Sequence, residues 1–356
     1  MKKHIKMGDI PVFSEFVRNI KHQTFYLGKD ENGDAIYDYS IPLPIIKAKG
    51  FEKIHGTQMG VSFNNIDGFW VQSKNNIITT EKDNAGCAFN AYAKKDIWLN
   101  IIIKLANEYN LDLNKNTITV FAEWCGGNIQ KNSAASGLDK RAVIFRYFKV
   151  TPFDLDDEHP AYRLETIASG KNVSSPENNI FNIADYPHID FIIDINNYEK
   201  SQNEIMAKII ENEEHSPFGK AFGKDNNILE GYVFSTVFKG TVLLWKIKGD
   251  KHSKSKVKNK KTYTPEELAK FDDARRCAEE IFSHQRCNQA LREVFGPNDE
   301  DINIKRIGDY LKWLRKDIIK ECTNVISDYG LEPKDVMKYI QEKNKQYFFG
   351  VLDKSS

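Results

Sequence analysis

The chain has 356 residues, 40% of them hydrophobic and 12% aromatic, which is enough for about two domains of ~150 residues each with a sizeable core. Lys+Arg number 51 and Asp+Glu 50, so net charge neither excludes nor selects a class of partner, and only the distribution of charge is informative. Five scattered cysteines, a basic start (MKKHIKMGDIPVF) without a signal-length apolar run, and no stretch near ~18 apolar residues lead us to expect reduced thiols, a cytoplasmic setting and no membrane span.

Up to about residue 245 the chain reads as strand-rich. IKMGDIPVF, AIYDYSIPL, MGVSFNN, FWVQSKNNIIT, TITVFAEW, RAVIFRYFKV, LEGYVFST and GTVLLWKIK are short runs of β-branched and aromatic residues. Turn signals such as Asn32-Gly33 and Asp67-Gly68 separate them. Within this region residues 94–110 carry Ile97, Leu99, Ile101, Ile102, Leu105 and Ala106, a spacing that predicts a helix packed on a sheet. From Lys246 to Lys261 eight of sixteen residues are lysine, as expected of a strand end running into a basic linker. Thr264-Pro265-Glu266-Glu267 then predicts a capped helix start, and Gly296-Pro297-Asn298 its stop. Ile304, Ile307, Leu311, Leu314, Ile318 and Val325 predict a second helix, and a third begins near Pro333. The expected fold class is α+β: an antiparallel-sheet-rich domain over 1–248, a lysine-rich linker over 249–263 and a small all-helical domain over 264–356.

The stretch FEKIHGTQMGV, 51–61, sets Lys53 and His55 two residues apart before Gly56-Thr57. A lysine amine is a poor nucleophile at neutral pH unless its site favours the neutral form, through desolvation or nearby positive charge. Most isolated Lys-x-x-Gly sequences are ordinary surface lysines. Here other parts accompany it. Glu123 ends a strand before a glycine pair, Glu230 precedes Gly231, and Lys246 and Lys248 share one face of a strand. RAVIFRYFKV supplies aromatic rings between them. Carboxylates can hold a divalent metal, lysines can stabilise phosphoryl charge, and a ring can stack a base. Together these are the parts of a nucleotidyl transfer site.

Lys53-Ile54-His55-Gly56, Glu123, the Phe145–Phe148 strand, Glu230-Gly231 and Lys246-x-Lys248 occur in the order of the covalent nucleotidyltransferase motifs. Within that superfamily the chain resembles the nick-sealing RNA ligases of bacteriophage and the kinetoplastid RNA-editing ligases, whose signature is E-K-x-H-G-T-N. DNA ligases and capping enzymes usually have Asp where His55 stands. The resemblance covers roughly residues 45–250 and implies an ATP-grasp-like nucleotidyltransferase fold for the first domain.

The resemblance also implies roles. Lys53 attacks the α-phosphate of ATP and carries the adenylate; His55, Lys246 and Lys248 assist the phosphoryl steps. Glu52, Ile54, Gly56, Lys74, Glu123, Phe148, Glu230, Lys246 and Lys248 bind the nucleotide, with Glu52 at the adenine rim, Glu123 on the ribose and Phe148 stacked on the base in preference to Phe145. Glu230 binds metal, Mg2+ or Mn2+, and Gln58 does so through water. The implied partners are ATP and RNA with 3′-OH and 5′-phosphate ends, at nicks in duplex RNA, with a role in RNA repair and, for a phage-encoded chain, in the host cytoplasm. A monomer is expected. The chain departs from the family pattern at Gln58, where Asn is usual, at Phe148-Lys149, where Phe-Asp is usual, and at Lys74, where Arg is usual. Lysine there is a point charge and not a fork.

Two other readings remain: DNA ligation or guanylyl capping, and a non-catalytic RNA binder. His55 and the lack of a clear OB-type barrel after residue 250 stand against the first, and the full set of Lys53, Glu123 and Glu230 against the second. His284-x-x-Cys287 with Cys277 is a weak zinc pattern on a helix, with helix packing the better reading. The basic linker and Arg275, Arg276, Arg286, Lys312, Arg315 and Lys316 are candidate RNA contacts beside their plainer reading as charged surface.

Overall fold

The computed structural model describes residues 2–131, 133–153, 163–167, 173–224, 228–249, 263–297 and 302–355. Most of the expected linker therefore lies outside the described residues.

The elements run α1 (Phe13–Phe25), β1 (Tyr26–Lys29), β2 (Ala35–Tyr37), β3 (Ile45–Glu52), β4 (Thr57–Asn64), β5 (Gly68–Ser73) and β6 (Ile77–Ile78). Then come α2 (Cys87–Ala93), α3 (Lys95–Glu108), β7 (Asn116–Cys125), β8 (Arg141–Pro152), β9 (Arg163–Thr166), β10 (Ile180–Asn182) and β11 (His188–Asp194). The chain continues through α4 (Tyr198–Asn212), α5 (Pro217–Ala221), β12 (Gly231–Phe238) and β13 (Thr241–Lys248). It ends in α6 (Pro265–Ile281), α7 (His284–Phe295), α8 (Ile307–Asp328) and α9 (Pro333–Ser355). The fold is mixed α+β, with antiparallel sheets and a helical C-terminal region.

The strand expected at IKMGDIPVF is not formed. Only Val12 makes a bridge, to Lys246, and α1 begins at Phe13. Phe13, Phe16, Val17 and Ile20 are buried at helical spacing, and that pattern overrides the β-branched character before it. The long helix read after Thr264 is two. Thr264 forms a reciprocal capping box with Glu267, but at Ser283 the chain restarts, its side chain accepting from the Arg286 N–H.

Two compact units interleave along the sequence. One comprises Met1–Phe16, Ile46–Ile193 and Glu204–Asn259; the other comprises Val17–Ile45, Asp194–Asn203 and Lys260–Ser356. In the first unit the described strands form one sheet of order β10-β8-β7-β4-β5-β6, with β9 on β8, and a second of order β11-β3-β12-β13. On one face of the larger sheet, Trp98, Ile101, Ile102 and Leu105 of α3 pack against Val61, Val71, Ile118, Val120 and Phe148. Each such side chain contributes roughly 1.5–3 kcal/mol when fully buried. Strand alternation sends Phe51, Cys125 and Val143 into a separate cluster, which Ile54, Ile183 and Phe218 complete and which supports the site. The second unit has its own core, in which Ala274, Cys277, Leu291, Tyr310, Leu314, Ile340 and Phe348 bring α6 to α9 together.

Candidate active site

Lys53 follows directly on β3, and its backbone N–H donates to the Gly231 carbonyl at 2.8 Å. Its Nζ lies 2.8 Å from Glu230 Oε2. His55 Nδ1 stands 3.1 Å from the same oxygen, and Lys248 Nζ reaches Oε1 at 2.8 Å. Glu230 is only 2% exposed. Burial would raise its pKa, but the His55 hydrogen bond and the charges and hydrogen bonds of Lys53 and Lys248 outweigh that and hold it well below the usual carboxylate range. Gly231 is required next to it: its φ is +145°, and a Cβ there would meet the Ile247 carbonyl oxygen at 2.1 Å.

Lys53 borders a cavity of about 210 Å3. Phe51, Ile54, Phe145, Tyr147, Ile183 and Val233 give the cavity apolar walls. Lys53, Gln58, Lys74, Glu123 and Lys246 supply polar and charged groups. Gln58 and Glu123 are register partners on β4 and β7, so their side chains stand next to each other. Glu123 Oε1 accepts from the Gly56 N–H at 2.9 Å. Burial lifts the Glu123 carboxyl to about 7, against the opposing charge of Lys53. Gly56 permits this approach, because a Cβ would meet the Trp124 carbonyl oxygen at 2.3 Å. Burial, then the charges of Lys53 and Lys248, lowers the pKa of Lys246.

One expected position is revised. Phe148 does not reach the cavity. It is buried in the core against α3 and meets Tyr109 edge-on, with ring centroids 5.0 Å apart. Phe145 lines the cavity in its place. Between Val120↔Phe148 and Ala122↔Ile144 the register shifts, so residues 145–147 face Phe121 alone, while Ile144 and Phe148 stay on the core side and Phe145 and Tyr147 on the cavity side. Glu230, read as a metal ligand, has both oxygens engaged by cations.

Glu52 borders the cavity, yet its oxygens are also taken. Ser216 Oγ donates to Oε1 at 2.5 Å and the Phe218 N–H to Oε2 at 2.8 Å, at the start of α5. Burial raises its carboxyl to about 7.

Sequence reasoning missed the residues 7–10, which line the cavity because the Lys246 N–H donates to the Pro11 carbonyl. Asp9 pairs there with Lys74 at 2.9 Å. It also missed Arg146, at the centre of the β8 irregularity. Nothing in a Gly8-Asp9 turn or a lone strand arginine signals either position. In the second unit Arg275, Arg276 and Arg286 pair with Glu199 and Asp272, Asp273, and Asp317 respectively, whereas Lys312, Arg315 and Lys316 are exposed. Cys277 and Cys287 are buried on separate helices.

A family model described as RNA ligase matches residues 50–248, more than half of the chain and the whole of the cavity's motif set. The chain belongs to the RNA ligase family. Among curated proteins no match is found. Solved structures of the Naegleria gruberi RNA ligase are similar at low identity. The one with PPi has 15% identity and a TM-score of 0.41, and the match covers 71% of this chain and 58% of that one. A variant with ATP and Mn has 15% identity and a TM-score of 0.42 over the same shares, 71% and 58%. A variant with AMP and Mn has 16% and 0.41, again over 71% and 58%. This chain thus spans about 58% of the length of those proteins.

Proposed function

We propose that this member of the RNA ligase family is an ATP-dependent RNA ligase working through a covalent lysyl-adenylate. The observation that carries the reading is the Lys53 amine at the wall of a cavity that has apolar aromatic sides for a base and Lys74 and Lys246 for phosphates, with Lys248 held near Lys53 by their shared partner Glu230. The Lys53 nitrogen attacks the α-phosphorus of ATP. A P–N bond forms, the bond to the bridging oxygen breaks, and pyrophosphate leaves. The adenylate then passes to an RNA 5′-phosphate, regenerating the amine, and a 3′-hydroxyl attacks that phosphate and expels AMP. Nicks in duplex RNA are the proposed substrate.

In the ground state Glu230 holds the Lys53 ammonium, so attack requires exchange of that contact and loss of a proton. Lys246 and Lys248 face charge developing on the transferred phosphoryl group and on the leaving pyrophosphate. Positioning of amine and phosphorus can account for roughly 7–11 kcal/mol of the barrier.

A divalent ion fits the donor set at one place. Mg2+ characteristically takes one or two protein oxygens and completes its shell with water and substrate phosphates. The adjacent Gln58 and Glu123 side chains suit that arrangement, whereas Glu230 is occupied by cations. Among the described residues no group of three or more His, Cys, Asp or Glu is arranged as a metal cage. When bound, the ion would neutralise phosphate charge and favour departure of pyrophosphate. We also propose that the helical region 264–356, with exposed Lys312, Arg315 and Lys316, engages RNA, and that residues 249–263 act as the linker.

The test is incubation with α-labelled ATP and magnesium followed by denaturing electrophoresis. The wild type should retain acid-labile label and Lys53→Ala should retain none; label on the Ala protein would reject the assignment. Labelling by ATP but not GTP, and sealing of a nicked RNA duplex but not of DNA, would reject capping and DNA ligation.

A further inference from the structure

We infer that Arg146 reads the purine base of the bound nucleotide. The inference rests on the cavity being the nucleotide site, and it gives a role to a residue of the Phe145–Phe148 strand to which the resemblance assigns none.

Three independent observations converge. First, Arg146 Nε and Nη1 are buried without a hydrogen-bond partner among the described residues. A guanidinium is always charged and can only donate, so enclosed N–H groups without acceptors are costly unless a ligand completes them. Second, the side chain lies at the aromatic part of the cavity. Its Cζ is 4.6 Å from the Phe51 ring centroid and 5.6 Å from that of Tyr147. The neighbouring Phe145 and Val233 are also apolar cavity walls. Lysines 53, 74 and 246 already provide for phosphates, so the acceptor missing beside the aromatic walls is that of a flat heteroaromatic ring. A purine has such acceptors, nitrogen lone pairs lying in the ring plane.

Third, the backbone is distorted at this residue. Arg146 has φ +63°, a left-handed conformation that L-residues adopt only at a cost. Residues 145–147 stand against the single residue Phe121. Regular alternation would send the residue between Phe145 and Tyr147 into the core with Ile144 and Phe148. The irregularity turns three consecutive residues, Phe145, Arg146 and Tyr147, to the cavity. The result is two aromatic rings and the Arg146 side chain along one cavity, with Arg146 also lining a second cavity beside Thr166 and Asp190.

The test uses the full chain carrying Lys53→Ala, so that no covalent adduct forms, and measures binding of ATP and of ribose 5′-triphosphate, which has no base, by calorimetry. Adding Arg146→Ala should weaken ATP roughly ten- to a hundredfold, the worth of one or two charged hydrogen bonds, and leave ribose 5′-triphosphate unchanged. Arg146→Lys should recover part of the loss. If the alanine protein does not fold, Arg146→Gly provides the same comparison, because glycine accepts the left-handed backbone. Unchanged ATP affinity, or equal weakening of both ligands, would overturn the assignment. Failure of the ligase reading is separable: it would appear as absence of label capture by the wild type, whatever the calorimetry gives.

Discussion

Replacing Glu230 with alanine removes the carboxylate on which Lys53, His55 and Lys248 converge at 2.8, 3.1 and 2.8 Å. Loss of one partner from a buried ion pair costs about 3–5 kcal/mol. The cations here are 23%, 27% and 40% exposed and can recover some hydration, which reduces the expected loss to about 2–3 kcal/mol. Urea unfolding at pH 7, followed by tryptophan fluorescence, measures it. The pH dependence gives a second check. Because the folded-state pKa of Glu230 is depressed, the unfolded chain binds more protons between that value and ~4.5. The contribution is therefore complete above pH ~4.5 and disappears as the pH falls through the folded value. The gap between wild type and Glu230→Gln should close as the pH falls below ~4.5. An alanine protein as stable as wild type, or a gap that widens in acid, would refute the reasoning.

Glu52 has the opposite sign: with its carboxyl raised to about 7, the folded state holds the extra proton, so stability falls as pH rises from ~4.5 to 7. Glu52→Gln should remove a slope worth about 3 kcal/mol across that window, read from urea midpoints; Glu123, shifted to the same value, leaves a residual slope of the same sign. Gly56→Ala should force the turn off β7, costing about 1–3 kcal/mol as an overpacking change and abolishing label capture, both measurable on one preparation. Phe148→Ala should lower stability by about 3–5 kcal/mol as a core truncation without selectively weakening ATP. Phe145→Ala should raise the ATP KM for label capture with a much smaller change in the unfolding midpoint.

Much of the site was legible because its parts sit beside glycines or at strand ends. Lys53, Glu123 and Glu230 each adjoin a Gly or a Gly-containing turn, and strand alternation correctly put Lys246 and Lys248 on one face. The helical region was equally readable at Thr264 and Gly296, where caps are local chemistry. Assignments that depended on long-range register were not legible. The choice of Phe148 over Phe145 rested on the family resemblance, whereas the strand sets Phe148 on the core side with Ile144 and Phe145 on the cavity side. The engagement of Glu52 by Ser216 and Phe218 joins residues about 165 positions apart in sequence, as their hydrogen bonds record, and no local pattern encodes such a pairing. The helix at Phe13 was obscured by the β-branched residues that precede it.

The Glu230-Gly231 dipeptide grips Lys53 twice, by a carboxylate on the amine and by a carbonyl on the main chain. In the proposed adenylate-transfer cycle the two holds have different lifetimes: the peptide contact can persist throughout, while the carboxylate must let go whenever the Lys53 nitrogen carries adenylate. On that proposal the amine changes partner through its own side-chain torsions from a fixed main-chain pivot, with no shift of β3 required.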